Sequence, residues 1–303
     1  MNFLQNNRVL VQGITEPLGS VYLPILLNYG TPVVAGVCPG HGGEQVWDVP
    51  VFDLVEQAIA HTGMVDTTVI FVPPYQVLDA ALEAIAAGIS KIILITKGVP
   101  PLDMIRLIRK AEATDTLIVG PDSPGIIIPH QLLLGTHPPE LYMPGEVGII
   151  SRSGTLTYEV AHELTAAGFG QSICVGIGGD RIVGSSFQQW LQILEEDDCT
   201  AAIVLIGEVG GESEEAAAQY IAEAIDKPVI AYIAGKALPK ERSISHAGAV
   251  LASQGIDIST EVGTAESKVA AFRRAKVAVA ERPSQIPDLL RKVLRSHNRR
   301  RAS

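Results

Sequence analysis

Short runs of valine, isoleucine and leucine alternate along this chain with segments of helical periodicity, and this alternation constrains the fold more than any other feature. The runs predict strands over 8–12, 32–37, 68–72, 91–96, 116–119, 147–151, 173–176, 201–206, 228–233 and 277–280. Helical periodicity falls between them, at 77–87, 102–111, 157–167, 186–194, 214–224 and 266–274. Because strands that alternate with helices are typical of parallel sheets, we predict an α/β fold of two similar, doubly wound domains.

Composition narrows the class of protein. A length of 303 residues favours two domains, and 29 glycines with a mean hydropathy of +0.26 suit buried parallel strands joined by tight turns. The net charge of −10 argues against binding to nucleic acid. Only three cysteines occur, far apart, which predicts neither a disulfide framework nor a metal site and favours a cytoplasmic location: Cys38, Cys174 and Cys199. We expect no signal peptide and no membrane span.

Two regions lack a clear period. Residues 120–145 contain six prolines and predict a covering linker between the two halves. The last residues, 295–303, contain four arginines and predict a solvated, frayed end.

The first half offers two candidate binding loops after its strands, where open parallel sheets bind ligands. Residues 13–19 form a glycine-bounded turn that opens a helix, although a plain tight turn is an equal alternative. It lacks both the G-x-G-x-x-G spacing and the lysine of a P-loop, which disfavours NAD and direct nucleotide binding. His41 lies in the second loop, 38–43, where we expect Cys38 to be a packed thiol.

The second half offers more specific candidates. Residues 151–157 follow a strand and open a helix, a plausible anion seat, and Glu208 lies among glycines at a strand end. His246 has small neighbours, so its imidazole is a candidate nucleophile, general base or phosphoryl carrier, with Glu208 as the candidate partner. A structural histidine is the alternative. We expect structural or surface roles for the other histidines: His61, His130, His137, His162 and His297.

These motifs together resemble one family. The segments 29–31, 36–43, 151–159, 168–172, 176–180, 206–211, 232–235 and 246–249, with turns at Val72, Gly98 and Gly120, occur in one order along almost the whole chain. The chain resembles the α subunits of succinyl-CoA synthetase (succinate–CoA ligase). The resemblance implies a Rossmann-like CoA-binding domain over 1–122, then a linker and a flavodoxin-like ligase domain over 123–303 that bears a phosphohistidine.

The family pattern also implies the site residues. The implied coenzyme A contacts are Thr15, Glu16, Pro17, Leu18, His41, Ile95, Thr96 and Lys97. His246 would be transiently phosphorylated and Glu208 would steady it. Ser153 and Gly154 would receive the phosphate, and Tyr158 would contact the substrate acid. No metal site is implied on this chain.

The implied reaction forms succinyl-CoA reversibly, through phosphohistidine and an acyl phosphate. Because this chain shows no nucleotide motif, ATP or GTP with Mg²⁺ would be bound by a β subunit carrying an ATP-grasp domain. Succinate or a related acid would be the substrate, with neither nucleic acid nor membrane as partner.

Several positions depart from the family pattern. Glu16 replaces a glycine, His41 a lysine, Lys97 a glutamate and Asp122 an asparagine. Most of these departures fall on the coenzyme A contacts, which leaves a non-catalytic CoA-binding regulatory module open as an alternative. A ligase for another acid, such as malate or citrate, and a CoA-dependent lyase also stay open, because much of the selectivity for the acid would lie on the partner chain. An oxidoreductase is the weakest alternative, for want of a dinucleotide fingerprint.

Overall fold

In the computed structural model, which describes residues 8–235 and 263–301, the chain divides into two units. The first unit runs to Pro139 and takes in Ile177–Ser185; the second comprises Glu140–Gly176 and the chain from Ser186 onward. The domain boundary after residue 122 stays a prediction.

The sheet of the first unit is parallel apart from one edge strand. Its strands are β1 (Val9–Gln12), β2 (Val33–Val37), β3 (Gln45–Val46), β4 (Val49–Phe52), β5 (Thr67–Ile70), β6 (Lys91–Leu94) and β7 (Leu117–Val119). They lie in the order β3-β4-β2-β1-β5-β6-β7, and β3 alone of these runs antiparallel to its neighbour. The order reverses beside β1, which pairs with both β2 and β5, so the loops after β1 and β5 flank the position where ligands bind in such sheets.

The helices described in this unit are α1 (Pro17–Asn28), α2 (Val55–Thr62), α3 (Val77–Ala86) and α4 (Pro101–Ala113). Strands β1, β5 and β6 are buried along their whole length, which suits their valine, leucine and isoleucine residues. Gly36 on β2 lies against Ile14, where an added Cβ would come within 2.4 Å of the Ile14 side chain.

The proline-rich region contains a hairpin that the sequence analysis did not predict. Strands β8 (Gly125–Ile128) and β9 (Leu132–Gly135) pair antiparallel, and every residue of both is buried. The Thr31 hydroxyl donates a hydrogen bond of 2.7 Å to the carbonyl of Leu133 and accepts one of 3.2 Å from its N–H. The region is therefore not an irregular linker: residues 120–139 fall in the first unit and contain this packed hairpin, whereas residues 140–145 fall in the second unit.

The second unit contains a parallel sheet of the other doubly wound type. Its strands are β10 (Pro144–Ser151), β11 (Gln171–Gly176), β12 (Ala202–Gly207), β13 (Val229–Ile233) and β14 (Ala278–Ala280). They lie in the order β14-β13-β12-β10-β11, which is the flavodoxin arrangement. Its helices are α5 (Gly154–Ala166), α6 (Phe187–Glu196), α7 (Ser213–Ala224), α8 (Ala265–Arg274) and α9 (Ile286–Arg301). The predicted α/β fold of two doubly wound domains is confirmed.

The arginine-rich end differs from the frayed tail that was predicted. It forms the last turns of α9, which continues to Arg301. The helix is held by buried Ile286 and Leu290, and by Arg291, whose guanidinium lies 5.3 Å from the centre of the Phe169 ring. Burial at its beginning explains why the helix forms despite its charged end.

Candidate functional site

The turn between β1 and α1 brings backbone unusually close to the neighbouring strand end. Gly13 has a φ of +77°, and an added Cβ would lie 2.9 Å from the backbone nitrogen of Val72 after β5. A Cβ on Gly19 would lie 2.1 Å from the carbonyl oxygen of Gly13. Both glycines are therefore required for the turn to fit between the two strands.

The predicted coenzyme A contacts in this turn, residues 15–18, lie just before and at the beginning of α1. The Thr15 hydroxyl donates to the sulfur of Cys38 at 2.8 Å, and Cys38 is buried, as expected of a packed thiol. Glu16 occupies the N-cap position, where its side chain makes no capping hydrogen bond within the described chain. Pro17 and Leu18 follow in the first turn, and both are exposed. The turn thus presents an acidic and an apolar side chain at the beginning of the helix.

The loop that carries His41 folds around a carboxylate. The N–H groups of Gly40 and Gly42 both donate to one oxygen of Asp53, at 2.7 and 3.0 Å. This organises the loop and leaves the His41 side chain 44% exposed, with Nδ1 3.1 Å from the carboxylate of Glu44. Sequence reasoning missed Asp53, because a loop carboxylate carries no pattern that separates it from a solvated one.

The third predicted strip follows β6 and divides into buried and exposed members. Ile95 and Thr96 are buried, and the Thr96 hydroxyl donates to the carbonyl of Val72 at 2.7 Å. The Lys97 side chain is 63% exposed and lies 3.4 Å from the carboxylate of Asp122. Two departures from the family pattern, Lys97 and Asp122, therefore form an ion pair with each other.

In the second unit, a serine-rich turn links β10 to α5. The Ser151 hydroxyl donates to the carbonyl of Ser153 at 2.9 Å and accepts from its N–H at 3.1 Å. Ser153 is the N-cap of α5, and a Cβ added to Gly154 would meet no atom of the described residues within 4 Å. Within the described part of the chain, the positive end of this helix dipole is therefore uncovered, as an anion seat requires. Tyr158 lies half-buried one turn further along.

Glu208 lies directly beside this turn. Ser151 pairs with Ile206 across β10 and β12, and the N–H of Arg152 donates to the carbonyl of Ile206 at 3.0 Å. Glu208, two residues further along, is only 3% exposed. The structure therefore brings the predicted phosphate-binding turn and the predicted carboxylate to the carboxyl ends of neighbouring strands.

His246 lies outside the described residues, but both described ends of the segment that carries it meet the loop of Glu208. The N–H of Ala234 donates to the carbonyl of Gly207 at 2.9 Å before the segment. After it, the N–H of Gly210 donates to the carbonyl of Gly263 at 2.8 Å. The chain therefore leaves and returns beside Glu208.

Three buried charged residues near Glu208 were missed by sequence reasoning. Arg152, Glu214 and Lys268 are all buried, and the ammonium of Lys268 lies 2.5 Å from the carboxylate of Glu214. Next to them, burial raises the pKa of Glu215, but hydrogen bonds from Ser267 and Lys268 and the Lys268 charge outweigh burial and hold it below its usual value. No sequence signal separates these charges from the solvated charges of ordinary helix faces.

The described part of the chain contains neither a metal-binding cluster nor a membrane-spanning helix. Its histidine, cysteine and acidic side chains form no group of three or more that could hold a metal ion. Its helices include none that is long and apolar enough to cross a membrane.

Comparison with known proteins places this geometry in a family. A family model for the CoA binding domain matches residues 4–98, and one for CoA-ligase matches residues 150–276. The chain is 44% identical over 290 residues to succinate–CoA ligase [ADP-forming] subunit alpha 2 of Archaeoglobus fulgidus, covering 96% of this chain and 98% of that protein. It is 42% identical over 286 residues to succinate–CoA ligase [ADP-forming] subunit alpha of Staphylococcus aureus strain Mu50, and the match covers 94% of this chain and 92% of that protein.

A solved structure with the same fold is the ATP citrate lyase of Methanothrix soehngenii in complex with citrate and coenzyme A. Its TM-score is 0.84 at 24% identity, and the match covers 97% of this chain but only 50% of that chain. This likeness shows the fold alone. Identity above 40% to relatives matched over nearly their whole length shows more: the chain belongs to the family of succinate–CoA ligase α subunits.

Proposed function

We propose that this chain is the α subunit of a succinate–CoA ligase, which forms succinyl-CoA from succinate, coenzyme A and a nucleoside triphosphate in a reversible reaction. The observation that carries the proposal is the position of Glu208, on a loop that holds both ends of the His246 segment beside the turn of Ser153 and Gly154. The names of its relatives favour ADP as the nucleotide product and ATP as the donor.

The chemistry runs in three steps. A ring nitrogen of His246 attacks the γ-phosphorus of ATP, and ADP leaves. A carboxylate oxygen of succinate, contacted by Tyr158, then attacks that phosphorus, which gives succinyl phosphate and restores the imidazole. The sulfur of coenzyme A finally attacks the acyl carbon, and phosphate leaves.

The chain's own residues contribute binding and electrostatics. Glu208 accepts a hydrogen bond from the second ring nitrogen of His246, which fixes the tautomer and stabilises the cationic phosphoimidazole. The N–H groups at the beginning of α5, from Ser153 and Gly154, hold the phosphoryl oxygens. Coenzyme A binds the first unit through the turn of residues 15–18, the loop of His41 and the strip of residues 95–97.

The nucleotide belongs to a second chain in this proposal. We place ATP and Mg²⁺ on a β subunit with an ATP-grasp domain, because the described residues contain no metal-binding group and the sequence no P-loop. The three cysteines are free, which is consistent with a cytoplasmic enzyme.

Labelling of the assembled complex tests the proposal. The chain, co-purified with its β subunit, is incubated with γ-labelled ATP, and we expect acid-labile, base-stable label on this chain. His246→Asn should abolish the label, whereas His162→Asn, at an exposed position of α5, should retain it. Label that persists in His246→Asn would refute the phosphohistidine.

Substrate choice is tested with the same complex. We expect thioester formation with succinate to exceed that with malate or citrate, and a preference for either of those acids would contradict the proposed activity. Glu208→Gln should slow phosphorylation about 10- to 150-fold, since a charge-assisted hydrogen bond contributes about 1.5–3 kcal/mol.

A further inference from the structure

Three buried charged side chains from different elements converge under the loop that carries Glu208. Arg152 follows β10, Glu214 lies in the first turn of α7 and Lys268 lies on α8. Glu214 and Lys268 are fully buried, and Arg152 is 8% exposed. We call these three residues the buried charge cluster.

Each member of the cluster binds the backbone of that loop. The N–H of Glu208 donates to Oε1 of Glu214 at 3.0 Å. Arg152 donates to the carbonyl of Gly210 at 3.0 Å, and Lys268 donates to the carbonyl of Gly211 at 2.8 Å. Three of the four residues 208–211 are therefore held by buried charges.

Glu214 is the centre of this arrangement. Its Oε1 also accepts from Arg152 at 3.0 Å, and its Oε2 accepts from Lys268 at 2.5 Å and from the Ser213 hydroxyl at 2.9 Å. The approach requires a glycine at position 207, where an added Cβ would lie 2.5 Å from Cγ of Glu214. The loop and the carboxylate are thus fitted to each other.

Stability alone does not account for such a cluster. Replacing a buried ion network by apolar residues of similar volume is often neutral or stabilising, because the charges lose their hydration. What apolar side chains cannot do is hydrogen-bond to the N–H and carbonyl groups of a loop. The bonds that distinguish this cluster from an apolar core are therefore those to residues 208, 210 and 211.

We propose that Glu214 is a positioning residue for phosphotransfer: through its bond to the Glu208 N–H, and with Arg152 and Lys268 neutralising its charge, it holds the Glu208 carboxylate at a fixed position toward the phosphorylated histidine. The proposal rests on the function proposed above. Arg152 binds both the carbonyl of Gly210 and Glu214 through its Nη1, so this arginine helps to organise the loop.

Two substitutions at position 214 separate geometry from charge. Glu214→Asp keeps the charge but withdraws the carboxylate by about 1.5 Å, the length of one carbon–carbon bond, which breaks the bond to the Glu208 N–H. Glu214→Gln removes the charge but keeps an oxygen at the same reach. If position matters, the rate of histidine phosphorylation in the complex follows Glu > Gln > Asp, with Asp slower than wild type by about tenfold or more. A role in charge balance alone gives the order Glu > Asp > Gln.

The control and the readouts complete the test. Glu215 is a neighbouring partner of Lys268 whose carboxylate, in the described structure, binds Gly263 and Ser267 rather than the loop of Glu208. As the control, Glu215→Gln should therefore slow phosphorylation far less than Glu214→Asp does. The KM for coenzyme A should stay unchanged in every variant. In the chain alone, amide hydrogen exchange at residues 208–211 should accelerate in Glu214→Asp but not in Glu215→Gln.

The outcomes distinguish the two proposals. If the wild-type complex is labelled but the rates follow Glu > Asp > Gln, the positioning role alone is overturned. The same holds if the wild-type complex is labelled and Glu214→Asp is phosphorylated at the wild-type rate. Unlabelled wild-type complex overturns the proposed function and, with it, this role. Should Glu214→Asp fail to fold, the Gln variant decides, because a loss as large as that of Glu208→Gln would contradict positioning by reach.

Discussion

Buried His137 should make the stability of the first unit depend on pH. This residue lies two positions after the β8–β9 hairpin and is 1% exposed. Its Nε2 lies 3.1 Å from the carbonyl oxygen of Gly125. Burial lowers the pKa of His137 to about 4, against a smaller opposing contribution from the Gly125 carbonyl. The imidazole is therefore neutral in the folded protein at pH values where the unfolded chain would protonate it.

The sign and size of the effect follow from this difference. Between about pH 6.5 and pH 4 the unfolded chain binds one more proton than the folded chain, so the free energy of unfolding falls as the pH falls. A shift of roughly 2.5 pKa units at about 1.4 kcal/mol per unit gives a loss of about 3 kcal/mol by pH 4. Below that pH both states are protonated and the dependence ends.

Urea unfolding of the full chain measures this dependence. In a Trp190→Phe background the fluorescence comes from Trp47, which lies in the first unit. Wild type should lose about 3 kcal/mol more than His137→Asn between pH 7 and pH 4, and His162→Asn should behave like wild type. Parallel pH profiles for wild type and His137→Asn would refute the reasoning.

Two further predictions concern the proposed coenzyme A site. Gly13→Ala should weaken coenzyme A binding by about tenfold or more, because the positive φ is unfavourable for alanine and the added Cβ would lie 2.9 Å from the Val72 nitrogen. Gly30 has a similar positive φ, but an added Cβ there would meet no atom of the described residues within 4 Å, so Gly30→Ala should lose about 1–3 kcal/mol of stability without affecting binding. Equal losses of binding in calorimetry for the two variants would contradict the assignment. Asp122→Asn should tighten coenzyme A binding by about 1.5- to 5-fold at low salt, because it releases Lys97 from its exposed ion pair, and high salt should remove this effect. Lys97→Glu should weaken the binding. If neither substitution changes the affinity, Lys97 does not face the phosphates of coenzyme A.

The sequence allowed the strand ends to be predicted because glycines and functional side chains follow recognisable apolar runs, as at Gly13 and Glu208. Family resemblance then suggested roles for those positions. The hairpin of residues 125–135 could not be predicted, because its short apolar runs lie among prolines and pair with each other rather than through a helix. The burial of Glu214 and Lys268 could not be predicted for a different reason. A charged residue at a helical position gives no sign that it will pair with a residue from a distant segment and be buried.

The predicted coenzyme A contacts show where resemblance alone misleads. The pairing of Lys97 with Asp122 turns two separate departures from the family pattern into one coupled change, which only the contact reveals. The opposite holds for Ile95 and Thr96, which match the family strip but are buried, with the Thr96 hydroxyl bound to Val72. Ile95 and Thr96 would contribute to coenzyme A binding through their backbone groups or through packing.

The first unit is built from two separate stretches of chain, and this has a consequence for the order in which the protein acquires its structure during synthesis. Residues 177–185 belong to it, and the N–H groups of Gly179 and Gly184 bind the carbonyls of Asp122 and Gly120 after β7. A ribosome that adds about 5–20 residues per second needs roughly 2–10 s to pass from Pro139 to Ser185. Throughout that interval the emerging first unit lacks its last piece, while β10, α5 and β11 of the second unit are already being made. Completion of the two units is thus interleaved in time, and a single cut in the chain cannot release either as an intact piece.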